Sequence, residues 1–164
     1  MEKILLFFMQ GIPEIMGVVA FGLALARVPL RWGIITVAGT ALTIIIFIIR
    51  SLPLSSFGLH TVAATLLLAL FIMKTTRTTQ VNSFVAAFAS FTTLVMLELV
   101  INKSFFFITK LDQQVFVSNY LLWRLVSLPQ AILMILFAVI ISKFKKPDKD
   151  AWKIRLGMGG GEML

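Results

Sequence analysis

The stretch GIITVAGTALTIIIFII, residues 33–49, holds no charged side chain and stops at Arg50. Behind it come Ser51-Leu52-Pro53-Leu54-Ser55-Ser56-Phe57-Gly58-Leu59-His60 and a second apolar run, Thr61–Met73. A helix on a water-soluble core would interrupt its apolar stripe with charged residues at the helical period. This stretch does not, and it approaches the roughly 20 residues needed to cross a hydrocarbon core of about 30 Å. Its apolar character is continuous, whereas the strands of a membrane barrel alternate with a period of two. A spanning segment must satisfy its backbone groups internally, so the segment is helical.

Working outward, the same reading predicts spans at Ile4–Ala26, Gly33–Ile49, Val81–Ile101 and Tyr120–Ser142. Thr61–Met73 is short alone and makes a full span only with the uncharged Leu52–His60 segment. The fold class is therefore all-α: a polytopic transmembrane helical bundle of about five spans. Pro53 and Gly58 disfavour continuous helix, which predicts a kinked or re-entrant segment near residues 51–60. Irregular backbone at membrane depth persists only where it packs on protein or lines a cavity. Pro13 is expected to kink or break the first span, which also contains Gly11, Gly17 and Gly22. The run Phe105-Phe106-Phe107-Ile108, beside Lys103, Lys110 and Asp112, suggests that Asn102–Asn119 lies in the membrane interface. A sixth, short span there is the alternative, and one that crossed fully would move the carboxyl terminus to the other side.

The chain has 164 residues, 59% of them hydrophobic, a formal net charge of +8 and no cysteine. Its mean hydropathy is +1.00. The absence of cysteine excludes disulfides, thiolate metal sites and a cysteine nucleophile. Arg27 and Arg31, Lys74 and Arg77, and the Lys143-Phe144-Lys145-Lys146 cluster share one side if there are five spans. That bias accounts for the charge better than nucleic-acid binding does, and it places the amino terminus outside and the carboxyl terminus in the cytoplasm. Residues 1–146 form the transmembrane domain. Residues 147–164 are a basic and then Gly-rich tail, expected to be partly disordered. The first apolar stretch is too long, and lacks the basic start and cleavage pattern, for a removable signal peptide.

Trp32, Tyr120 and Trp123 fall near span ends, as an aromatic belt would, and Trp152 is placed to anchor the tail at the cytoplasmic surface. Ala86, Ala87, Ala89 and Ser90 offer a close helix-packing face.

The rare charges carry the functional signal. Glu14, Glu98 and Arg124 lie inside or at the edges of spans, and Arg50 and His60 flank the break between two. An ionisable group in hydrocarbon turns toward a partner, a protein interior or a water-filled cavity. On the five-span topology all five lie in the outer half of the membrane, so a single outward-facing ligand site is expected. Each has a plainer reading. Glu14, as a site carboxylate, would pair with Arg50 or accept from a ligand donor, and on the plainer reading it caps a helix restarting at Pro13. Glu98 and Arg124 could form a buried interhelical ion pair. His60 could be a hydrogen-bonded structural residue, and alone it makes no metal site. No nucleophile elbow, phosphate-binding loop or zinc-binding helix motif is present, so no enzyme activity, cofactor or metal is expected.

Gly11-Ile12-Pro13-Glu14, then Arg50-Ser51-Leu52-Pro53-Leu54 running into Phe57-Gly58-Leu59-His60-Thr61, resembles the membrane regions of Firmicutes sensors of the accessory-gene-regulator type. The longer members of that family carry a GHKL histidine kinase. The resemblance covers about residues 4–146, mostly as hydropathy. It implies a bacterial cytoplasmic membrane protein that receives an extracellular signal, often a peptide, and passes it on. Here the chain ends soon after the last span, without a dimerisation helix or ATP-binding domain. A stand-alone, sensor-like module acting through a protein partner or a homo-oligomer is the expectation. The substrate-binding subunit of a transporter and an accessory subunit of a larger membrane complex are the alternatives.

Overall fold

A computed structural model of the chain describes residues 2–51, 59–110, 120–148 and 150–153. They form five helices: α1 Glu2–Leu25, α2 Trp32–Ser51, α3 Leu59–Thr75, α4 Gln80–Thr109 and α5 Tyr120–Phe144. Three are long and apolar enough to cross a membrane: Ile4–Leu25, Trp32–Ser51 and Gln80–Thr109. Shorter apolar helices cover His60–Thr75 and Leu128–Phe144. The outward faces are apolar too, with Val37, Ile45 and Ile48 on α2, Val85, Phe88 and Val100 on α4, and Ile132 and Ile140 on α5 all exposed. In water so much exposed apolar surface would drive aggregation, whereas a bilayer requires it. The chain is a helical membrane protein.

The central helix is α1. It packs most extensively on α5, then on α2 and α4, and α3 sits between α2 and α4. Every residue from Gly17 to Ala24 is buried, as befits a helix that is apolar all round. Small residues let the neighbours close in. A β-carbon at Gly17 would lie 2.9 Å from Met134 Cβ of α5, so only glycine allows this approach. The expected small face of α4 is used at Ala86, Ala87 and Ser90, which are buried, with Ala89 half-buried.

Helix ends follow local chemistry. Arg27 takes a left-handed φ of 58°, with Arg27 N–H bonding the Ala24 carbonyl and Val28 N–H the Leu23 carbonyl. This is a Schellman motif, and its apolar pair, Leu23 and Val28, is buried. Thr79 caps α4 by accepting from Asn82 N–H at 3.4 Å. Lys110, at φ 51°, closes α4 through its N–H to the Phe106 carbonyl.

Of the kink or break expected at Pro13, the break does not occur, because α1 runs uninterrupted with Pro13 inside it. Packing on α2, α4 and α5 outweighs the cost of an interior proline, about 3 kcal/mol. Asn102–Thr109 is the continuation of α4 rather than a helix of its own, and the rest of the segment expected at the interface, residues 111–119, lies outside the described residues. Asn102–Thr109 contains neither Gly nor Pro, so nothing stops the helix before Lys110. Trp152 is buried against protein rather than set at a membrane surface. Its indole N–H donates to the Pro29 carbonyl at 2.9 Å. Arg77 N–H bonds the Ala151 carbonyl, Lys153 N–H the Thr75 carbonyl and Asp148 N–H the Arg27 carbonyl. The tail up to Lys153 thus ties the α1–α2 and α3–α4 connections together. The kink expected near residues 51–60 falls mostly outside the described residues, since α2 ends at Ser51 and α3 begins at Leu59.

Candidate functional site

Helix alternation brings one end of each helix together: the start of α1, the end of α2, the start of α3 and the end of α4. Each contributes one face. Phe7, Gln10, Gly11, Glu14 and Ile15 follow the i, i+3, i+4, i+7, i+8 stripe of α1. Thr43, Ile46 and Arg50 do the same on α2, and Phe91, Leu94, Val95 and Glu98 on α4. His60, Thr61 and Ala64 complete the wall from α3. They enclose a cleft of about 250 Å³.

Four of the five candidate residues therefore line one cavity: Glu14, Arg50, His60 and Glu98. The side chain of the fifth, Arg124, lies outside the described residues, as does the Glu98–Arg124 pair it was expected to form. The helices that carry the pair, α4 and α5, do pack on each other.

Glu14 is half-buried and accepts from Gln10 Nε2 at 3.3 Å. The reading of Glu14 as the cap of a restarted helix is corrected, because α1 has no start at Pro13 to cap. Arg50, at the exposed end of α2, sets its guanidinium 5.9 Å from the ring centroid of Phe7. Phe7 and Phe8 pack in turn on Phe47, which fixes this corner of the cleft. The floor is polar at Thr43, which is 1% exposed. Its hydroxyl bonds the Gly39 carbonyl at 2.7 Å, with a longer contact of 3.3 Å to the Gly11 carbonyl of α1. His60 and Glu98 are half-buried. Among the described residues, no group of three His, Cys, Asp or Glu side chains is placed to hold a metal ion.

Sequence reasoning passed over Gln10, Thr43 and Phe7. The signal was present: Gln10 stands four residues before Glu14 and Phe7 seven before it, so all three share a helix face. Among the described residues the cleft combines two carboxylates, a guanidinium, an imidazole, an amide and two threonine hydroxyls with apolar side chains. Such a set can hold a small group carrying both signs of charge by charge-assisted hydrogen bonds.

No protein-family model matches this chain, and neither a curated protein nor a solved structure matches it.

Proposed function

We propose that this chain is a non-enzymatic, sensor-like module of the bacterial cytoplasmic membrane that binds an extracellular ligand in the Glu14–Arg50–His60–Glu98 cleft and passes the event to a protein partner. The observation that carries this reading is the convergence of four ionisable side chains, from four largely apolar helices, on one cavity. Orientation follows from the cationic side: Arg27, Arg31, Lys74, Arg77, Lys143, Lys145 and Lys146 lie at the end opposite the cleft, so the cleft opens outward. The mixed charges suit a zwitterionic group, a peptide terminus among them. The resemblance of Gly11–Glu14 and Arg50–Thr61 to accessory-gene-regulator-type sensors supports a signalling role.

The test is solubilisation from native membranes, affinity capture and mass spectrometry of what is retained, for the wild type and for Glu14→Gln/Arg50→Gln. The expected result is a retained small molecule and a co-captured signalling protein, with the small molecule lost in the folded double variant. Retention indifferent to both substitutions removes the cleft reading. Capture of an ATPase pair instead would turn the reading toward a transporter subunit.

A further inference from the structure

A second concavity adjoins the cleft. It lies between α3 and α4, holds about 380 Å³, and is lined chiefly by Val62, Leu66, Phe84, Phe88, Thr92 and Met96. Thr61, Phe91 and Val95 wall both spaces. The two differ in character. The cleft holds Glu14, Arg50, His60 and Glu98, whereas among the described residues the groove has no charged side chain and only threonines for polar ones.

From the observed adjacency, and building on the cleft as a ligand site, we infer that the ligand is a zwitterionic phospholipid with a primary ammonium, whose N–H groups a choline head group lacks. Its head group sits in the cleft and one of its chains lies in the α3–α4 groove. Glu14 and Glu98 accept from the ammonium, while Arg50 and His60 donate to the phosphate. The chain then runs down α4 past Val95 and Phe91 to Phe88 and Phe84. From Glu98 to Phe84 is roughly 20 Å at 1.5 Å per residue, somewhat more than half of an approximately 30 Å hydrocarbon core. Alone, the cleft is smaller than the roughly 300–1,000 Å³ that ordinarily holds a ligand, and continued into the groove it falls within that range.

Two observations favour a lipid over a ligand arriving from water. The groove walls Val62, Leu66, Phe84, Phe88 and Met96 are all exposed on the outward side of α3 and α4, so the groove opens sideways into hydrocarbon. The head-group end stands level with Arg50, in the last turn of α2, where a phospholipid's polar region meets the helix ends.

The test places the full chain in phosphatidylcholine nanodiscs doped with phosphatidylethanolamine that carries a photoactivatable group in one acyl chain. A parallel sample uses phosphatidylglycerol with the same chain. Illumination followed by mass spectrometry maps the labels. Val62, Phe88 and Met96 should label about tenfold more with the ethanolamine probe, the scale of one or two charge-assisted hydrogen bonds. Val37, on the outward face of α2, should label equally with both. Unlabelled phosphatidylethanolamine should compete at the groove and not at Val37. Thr92→Trp should block groove labelling, and Arg50→Gln or Glu98→Gln should erase the preference between probes. Equal labelling by the two probes, or a preference that survives both charge substitutions, makes the groove ordinary lipid contact and overturns the inference. If the retained ligand of the capture experiment still depends on Glu14 and Arg50 while the groove shows no head-group preference, the cleft reading stands and the amphiphile alone falls.

Discussion

Gly39 of α2 lies so close to Met16 of α1 that a β-carbon there would stand 2.6 Å from Met16 Cγ and 3.2 Å from its Cα and N. The contact is to backbone as well as side chain, so a rotamer change alone cannot relieve it. Without a hydrophobic force between helices inside lipid, such close approach is a main source of their affinity.

Gly39→Ala should therefore lower the thermal midpoint in detergent, by the equivalent of about 1–3 kcal/mol for overpacking. Gly33 is the internal control. It lies in the same helix, with nothing within 4 Å of a β-carbon built there. Gly33→Ala should be neutral or stabilising, by up to about 1 kcal/mol. Equal effects of the two substitutions would mean that the α1–α2 contact is looser than described.

Trp152 closes the opposite end of the bundle. It is 5% exposed and bonded to Pro29, while the flanking backbone bonds Thr75 and Arg77. Trp152→Ala should free this strap without melting the helices. Trypsin should then cleave faster after Lys145, and the Arg77 amide should exchange faster with solvent, while the helical circular dichroism stays unchanged. A loss of helix content would show instead that the tail holds the bundle together.

The helices were legible from the sequence because lipid allows few alternatives. Continuous apolar runs mark the five helices of the described residues, and both ends of α2, the end of α3 and the start of α5 fall within two residues of expectation. The end of α4 was missed because Lys103 and the phenylalanine run read as an interface signal, although no helix breaker stood before Lys110. The tail's docking was invisible because it depends on a bridge between Thr76 and Trp152, residues far apart in sequence. Four of the candidate site residues were legible from charge alone, since each is costly in hydrocarbon wherever it sits. Gln10 and Thr43 were not, because neutral polar groups are cheap on a helix and reveal themselves only by the face they share.

The membrane orientation can be read with introduced cysteines, because the chain has none of its own. Thr76 is a poor probe position, since it is fully buried and its hydroxyl donates to the Ile72 carbonyl. Gln80 and Ser104 are exposed near opposite ends of α4. With the cleft facing outward, Ser104→Cys should react with an impermeant thiol reagent in intact cells, and Gln80→Cys should react only after permeabilisation. The reverse pattern would invert the topology and place the cleft toward the cytoplasm.

Arg50 separates a site residue from a structural anchor. Its described partner is the face of Phe7 at 5.9 Å, and a cation–π contact at an exposed position contributes only about 0.5–1 kcal/mol. Arg50→Gln should therefore shift the unfolding midpoint no more than Phe7→Leu does, because Phe7→Leu removes this contact together with the ring's packing on Phe8 and Phe47. Ligand retention should behave differently. Arg50→Gln removes the described guanidinium of the cleft and should weaken retention about tenfold or more, as expected for a lost hydrogen bond to a charged group. Phe7→Leu keeps that charge and should weaken retention much less. Arg50→Lys should fall between the two, since it keeps the charge but loses the planar, two-pronged donor geometry. If Arg50→Gln costs several kcal/mol of stability and Phe7→Leu does not, Arg50 is holding the fold through a contact other than the phenylalanine ring, and its place in a ligand site has to be withdrawn.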